Sequence, residues 1–422
     1  MKIYNLFPLL AGPVSDWQPH LKRAAEMGFD WIFVNPIQKL GRSGSLYSVA
    51  DYLQVNPALL KPRARKSPED QVRAMTAEAK GLGLRLMIDL VINHCAVDSP
   101  LVKAHPDWFL REGKGVANPF CVEADGNKIV WRDLAQFDHS GSQDADGLLK
   151  YCGDVVEYLV GLGFTGFRCD AAYQIPSKFW RRLIGRIRAA HPEVTFAAET
   201  LGCSPEQTRD TAAAGFDWIF NSSKWWDYGS PWLLEQHELT RQIAPSIGFP
   251  ESHDTERLFA ESHGNLGEQK QRYLFTALFS AGIMMPVGYE YGFRKRLDVV
   301  RTRPQDWEQT DQDMTDFIRR VNAIKDAYPV FQEDGLIQCL HHADPGVLVL
   351  WKGSTRSANQ ALLILNKDPW NWQHFHTDNL YDHIQARPPL VDVSPDWPMD
   401  HIPSPFSYEL PPAAARVLVA GL

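Results

Sequence analysis

The chain has 422 residues, 44% of them hydrophobic, enough for one large and one smaller domain around substantial cores. A formal net charge of −8 argues against the basic surface excess that phosphate-backbone binding needs, so no nucleic-acid partner is expected. No apolar run is long enough to cross a bilayer, so no membrane role is expected either. The apolar N-terminal stretch is read as a first strand, not a leader, because the helix-start residues Ser15 and Asp16 follow at once. Six scattered cysteines, Cys95, Cys121, Cys152, Cys169, Cys203 and Cys339, form no CxxC pair, which suits reduced thiols in the cytoplasm better than disulfides or zinc.

Strand-like runs are expected over 2–10, 31–35, 84–91, 164–171, 194–200, 216–221, 246–253 and 283–290. Helical patterns over 16–27, 67–82, 148–162, 176–190, 205–214 and 269–281 alternate with them, the signature of a parallel sheet wrapped by helices. Eight such units favour a closed (β/α)8 TIM barrel over the alternative, a doubly wound open sheet. The run GFDWIF occurs at 28–33 and again at 215–220; in both, glycine ends a helix and releases the chain into a strand. The long gap between the third and fourth strands places a short irregular insertion at about 95–147, over the barrel rim. After residue 330 short runs at 335–339, 346–351, 361–365, 407–410 and 416–418 read as a C-terminal antiparallel β-sandwich. The expected division is thus a barrel over 1–330, insertion included, and a sandwich over 331–422. Trp370 and Trp372 in the second part are packing residues or, less in keeping with strand-end tryptophans, sugar-stacking ones.

The stretch 163–180, GFTGFRCDAAYQIPSKFW, organises the rest. On a strand Arg168 and Asp170 share a face, so the guanidinium is expected to hold the Asp170 carboxyl down and ionised. That pair by itself is equally a structural ion pair. In a barrel, however, Asp89, Asn93, His94, Glu199, His253 and Asp254 come to the same rim. Carboxylates gathered around an arginine, without metal-ligand spacing or a phosphate-cradling glycine loop, suit a cationic transition state such as that of glycosyl transfer.

Four motifs, DLVINH at 89–94, GFRCDAA at 166–172, FAAET at 196–200 and SHD at 252–254, resemble in order those of the α-amylase superfamily, glycoside hydrolase family 13. The resemblance implies Asp170 as nucleophile, Glu199 as general acid/base and Asp254 as the third carboxylate on ring hydroxyls. It further implies that Arg168 orients Asp170, that His94 and His253 bind hydroxyls, that Tyr47 stacks on the sugar being cleaved, and that Asp89 belongs to the substrate-binding set. Asp51 is given a structural role. Asn93 stands where many family members bind calcium, but 95–147 lacks an accompanying carboxylate cluster, so no cofactor is expected.

Within the superfamily the chain is nearest in pattern to the bacterial maltosyltransferases that use maltose 1-phosphate. It departs from them at Ala171, where they carry asparagine, and at Asn127, Lys128 and Ile129, which align with their phosphate-contacting Lys-Lys-Tyr run. The expected activity is therefore retaining hydrolysis or transfer at α-glucosidic, mainly α-1,4, bonds of maltooligosaccharides or α-glucans. Phosphate-dependent maltosyl transfer and a catalytically silent scaffold are the alternatives; the sequence leaves oligomeric state open.

Overall fold

In the computed structural model, residues 1–122, 127–340, 344–384, 386 and 388–421 are described. Eight parallel strands, Lys2–Leu6 (β1), Trp31–Val34 (β2), Arg85–Leu90 (β3), Gly166–Cys169 (β4), Thr195–Ala198 (β5), Trp218–Phe220 (β6), Ser246–Gly248 (β7) and Gly282–Pro286 (β8), close into a barrel because β1 pairs with both β2 and β8. This is the closed alternative, not the open sheet. The helices Gln18–Glu26 (α1), Pro68–Gly81 (α2), Ala145–Gly161 (α3), Ser177–Ala190 (α4), Pro205–Ala212 (α5), Trp232–Thr240 (α6), Leu266–Phe279 (α7) and Thr315–Ala327 (α8) follow the strands one for one. Their starts are written locally. Ser67 accepts from the Asp70 amide at the head of α2, and Ser204 and Gln207 form a reciprocal capping box at α5. The strands are shorter than expected. Residues 8–11 form a helical turn instead of extending β1, because Pro8 has no amide to give the ladder.

The repeated hexapeptide marks two equivalent junctions. Gly28 and Gly215 both take positive φ, 84° and 103°, which glycine adopts without a Cβ penalty. The following aspartates then bracket a neighbouring strand in the same way. The Asp30 amide donates to the Lys2 carbonyl while the Lys2 amide donates to Asp30 Oδ1, and Asp217 does likewise with Phe196 through Oδ2.

Inward-facing residues build the barrel in layers. Ile3, Trp31, Phe33, Met87, Phe220, Ile247 and Met284 fill its apolar lower part. Gly166 makes room there, since a Cβ would lie 2.6 Å from the Trp31 ring. Two residues further along their strands, Asn5, Asn35, Asp89 and Arg168 form a buried polar layer, and above it lies the candidate site.

Two excursions cover the rim. The expected insertion follows β3: His94–Ala96 pairs antiparallel with Leu134–Gln136, and Phe120–Val122 with Lys128–Val130; its residues 123–126 lie outside the described residues. A second excursion, the hairpin Gln38–Leu40 with Val49–Val55 after β2, was not anticipated from the sequence. It carries Tyr47 in its loop, while Asp51 accepts the Leu53 amide as a local brace.

The C-terminal part is a sandwich. Strands Leu336–Leu340 (β9), Val347–Gly353 (β10), Gln360–Asn366 (β11), Val391–Asp392 (β13) and Ala415–Ala420 (β15) make one antiparallel sheet, and Gln373–Thr377 (β12) pairs with Phe406–Leu410 (β14). Alternation divides the large sheet. Leu348, Leu350, Leu363, Leu365, Val417 and Val419 join the main core with the barrel helices, whereas Val347, Ile364 and Leu418 face Phe375, Phe406 and Leu410 of the ribbon.

Candidate active site

Arg168 projects from β4 into the barrel mouth with only 4% of its side chain exposed. Nη1 lies 2.6 Å from Asp89 Oδ1 and 3.2 Å from Asp170 Oδ1; Nη2 lies 3.3 Å from Glu199 Oε1 and 3.9 Å from Asp254 Oδ2. One guanidinium therefore reaches carboxylates from the ends of β3, β4, β5 and β7. Strand register fixes this meeting. The Asp170 amide donates to the Leu90 carbonyl and the Glu199 amide to the Cys169 carbonyl, which carries the ladder up to the two acids.

Asp89 is placed differently from its neighbours. It is fully buried, and Arg168 and the Tyr47 hydroxyl at 2.6 Å occupy its two oxygens. It sits one layer below the cavity and holds other residues, so a direct sugar contact is not open to it, contrary to the expectation from the motif. The Tyr47 hydroxyl also accepts from Asn35 and lies 2.6 Å from His253 Nε2. Since that hydroxyl gives its proton to Asp89, His253 must donate through Nε2, which is also 3.0 Å from Asp254 Oδ2. The Tyr47 and His253 rings stack at 5.7 Å. His94 is buried, and burial lowers its pKa to about 4 although a hydrogen bond to the Tyr47 backbone works the other way, so it lines the cavity as a neutral imidazole.

The charge balance of the acids also differs from expectation. Burial and the facing Glu199 push Asp170 well above the carboxylate range, and Arg168 only offsets them. Burial raises Glu199 too, against Arg168. The guanidinium acts in the expected direction, but desolvation outweighs it, and the two acids together retain a proton more readily than either would in water. Burial would also raise Asp254, yet His253, Arg168 and Arg296 bring it to about 2. Ala171 completes the arrangement. Its φ of 45° and ψ of 40° are left-handed, costly for a residue with a Cβ, and this turns its amide to donate to Glu199 Oε2 at 2.7 Å.

A cavity of about 290 Å³ opens above these groups, lined by Tyr47, His94, Asp170, Glu199 and Asp254, and by Ser45, Asn93, Trp131, Asp133, Leu134, Ala171, Tyr173, Gln174 and Val299. Among the described residues lining it there is no lysine or arginine. Trp131, Asp133, Tyr173 and Gln174 were not identified from the sequence: they lie in irregular segments where no periodicity orients a side chain. Asn93 spends its amide on Gln174 Oε1 at 2.8 Å. No group of three or more His, Cys, Asp or Glu suited to a metal gathers among the described residues. Also among the described residues, no helix is long and apolar enough to cross a membrane, and no disulfide is formed.

An eight-stranded barrel with this acid cluster at the ends of β4, β5 and β7, followed by an antiparallel sandwich, is a fold found among solved α-amylases. The solved α-amylase of Lactobacillus plantarum superposes with a TM-score of 0.78 at 20% identity, over 99% of this chain and 98% of that one. The debranching enzyme of Nostoc punctiforme gives 0.71 at 19%, over 99% and 97%. Residues 1–111 match the family described as glycogen debranching enzyme, glucanotransferase domain. In sequence the chain is similar to the α-1,4-glucan:maltose-1-phosphate maltosyltransferase of Burkholderia pseudomallei, 27% identical over 85% of this chain and 32% of that protein. It spans between about a third and three-fifths of the length of the curated relatives it matches. The fold is thus one that the chain shares with solved α-amylases, and its sequence is similar to that of curated maltosyltransferases.

Proposed function

We propose that the protein is a retaining glycosidase or transglycosidase of neutral α-1,4-linked glucans, with Asp170 as nucleophile and Glu199 as general acid/base. The observation that carries this reading is the single Arg168 guanidinium within salt-bridge distance of both acids, an arrangement suited to a closely spaced retaining pair. Glu199 gives its proton to the leaving glycosidic oxygen as Asp170 attacks the anomeric carbon, and a glycosyl ester to Asp170 forms. Glu199 then takes a proton from water or a sugar hydroxyl, whose oxygen displaces Asp170, so configuration is retained. Asp254 stays ionised and, with His94 and His253, holds ring hydroxyls. Residues 1–330 form the catalytic unit and 331–422 support it. The substrate is a maltooligosaccharide or α-glucan, and the setting is cytoplasmic, where buried thiols such as Cys95, Cys152 and Cys169 stay reduced.

A cavity whose charged lining consists of carboxylates favours a neutral donor, because a phosphate dianion there would meet repulsion instead of charge-assisted bonds. Lys128 does not supply that cation: its Nζ lies 3.8 Å from the centre of the Phe120 ring. The maltosyltransferase reading draws support from the sequence similarity, and in the adjoining cavity Lys295 and Arg296 are already paired with Asp306 and Glu256. Turnover of maltose 1-phosphate and of maltotetraose by the same preparation separates the two: selective turnover of the phosphorylated donor refutes the neutral-substrate reading. For the mechanism, Glu199→Gln should lose several orders of magnitude on maltotetraose, less on a glycosyl fluoride, and be rescued by azide with retention. Asp170→Asn should be dead on both. Equal loss by Glu199→Gln on every donor, with no azide product, removes Glu199 from the acid/base role.

A further inference from the structure

A cavity of about 290 Å³ lies at the small end of ligand pockets, which run from about 300 to 1,000 Å³. A longer glucan must extend beyond it, either into the adjoining cavity that shares Asp254 and Val299 or along the opposite wall that carries Trp131. Trp131 lines this cavity while keeping 37% of its surface in water. Two residues before it, Ile129 is 40% exposed and belongs to the hairpin strand Lys128–Val130 that leads directly into Trp131. Two residues apart along an extended chain, they share a face. Phe120 sits opposite Val130 and under Lys128, so its side chain belongs to the other face of the hairpin and the strip on this face consists of Trp131 and Ile129. Apolar surface left in water adds nothing to fold stability, so the fold itself does not account for this strip.

The strip is also held in place. The Trp131 amide donates to the Pro119 carbonyl and its carbonyl accepts from Leu134, at 3.0 and 3.2 Å. Gln174, four residues beyond Asp170, accepts from Asn93 and donates through Nε2 to the Phe120 carbonyl at 3.5 Å. One amide side chain thereby ties the hairpin to the loop that carries the nucleophile. Tyr173 lines the same cavity. A pre-positioned apolar platform beside hydrogen-bonding groups suits a ring with a C–H face and a hydroxyl edge.

From this geometry we infer that Trp131 and Ile129 form an additional sugar-binding subsite, which takes a further glucosyl unit of the α-glucan and selects for longer chains. This rests on the glucan-active reading above. Trp131→Ala, Trp131→Phe and Ile129→Ser are compared with the wild type by kcat/KM on α-glucosyl fluoride and on maltoheptaose. The loss for Trp131→Ala on maltoheptaose should exceed its loss on the fluoride about tenfold or more, with Trp131→Phe recovering most of it and Ile129→Ser showing the same bias more weakly. Equal losses on both substrates, as a purely structural role gives, or no loss on either, overturn the subsite. If the wild type turns over neither donor, the failure is that of the proposed function. Calorimetric titration with maltoheptaose and maltose then decides the subsite: weaker binding of the longer sugar alone by Trp131→Ala supports it, and equal affinity for the two proteins overturns it.

Discussion

Replacing Arg168 by methionine removes the one cation in contact with four carboxylates, and the structure says which of the four suffers. Asp170, Glu199 and Asp254 line the open cavity, where water can take the place of the guanidinium. Asp89 is fully buried and loses its 2.6 Å partner, keeping only the Tyr47 hydroxyl. Stranding one member of a buried ion pair costs about 3–5 kcal/mol, a large share of the roughly 5–15 kcal/mol that holds a typical domain together. Adding Asp89→Asn removes the stranded charge while keeping an oxygen for Tyr47, so most of that cost should be recovered. Urea unfolding of the wild type, Arg168→Met, Asp89→Asn and the double variant at neutral pH should therefore give a coupling energy of about 2 kcal/mol or more, with the double variant more stable than Arg168→Met alone. Arg168 also lowers both Asp170 and Glu199, so its loss should move the acid limb of any surviving pH–rate profile upward. If the two substitutions add to within about 0.5 kcal/mol, the buried polar layer is not held by this pair and the account of the site's floor is wrong.

Ala171→Gly should be neutral to stabilising. Left-handed backbone costs a residue with a Cβ about 1–2 kcal/mol, while glycine's extra freedom in the unfolded chain returns about 0.4–1 kcal/mol, and the amide that holds Glu199 is kept; a fall in melting temperature beyond error would contradict the strain. Asp254, brought to about 2 from an ordinary 3.8, contributes stability that is fully present above the unfolded value and lost as pH falls from about 4 to 2. The stability gap between wild type and Asp254→Asn, followed by denaturant titration from pH 6 downward, should narrow over that window; a gap that does not change with pH would show that His253, Arg168 and Arg296 do not hold the carboxylate. Asp170 and Glu199 act with the opposite sign: being raised, they cost stability as pH climbs from the unfolded carboxylate range through their folded values.

The barrel was legible because its determinants are local. Strand and helix periods alternate eight times, and the two GFDWIF runs mark helix-to-strand junctions whose glycine angles and aspartate brackets match. The C-terminal sandwich follows from the same alternation read at period two. What the sequence did not reveal were the segments without a period. The hairpin that carries Tyr47 and the loops that carry Trp131, Tyr173 and Gln174 depend on hydrogen bonds to partners distant in sequence, such as Tyr47 to Asp89 and Asn93 to Gln174, and no spacing rule encodes a contact across 81 residues.

The acids themselves show where residue-by-residue reading stops. Arg168 and Asp170, two apart on a strand, suggest a lowered carboxyl, and that pair interaction is real at 3.2 Å. The net shift is nevertheless upward, because Glu199 arrives from the next strand and the barrel withdraws water from both. Burial and a like charge from another strand are properties of the assembled rim, so they enter only when β4 and β5 are in register. The same step removes Asp89 from the substrate's reach, since its register partner is Arg168 itself. A motif can thus name the acids, but which of them meets solvent, which supports the others and which shares a proton depends on the layer each occupies in the closed barrel. Arg168 links the buried layer to the open one, so a substitution there should change stability through Asp89 and acidity through Asp170 and Glu199, two effects that the denaturation cycle and the pH profile read separately.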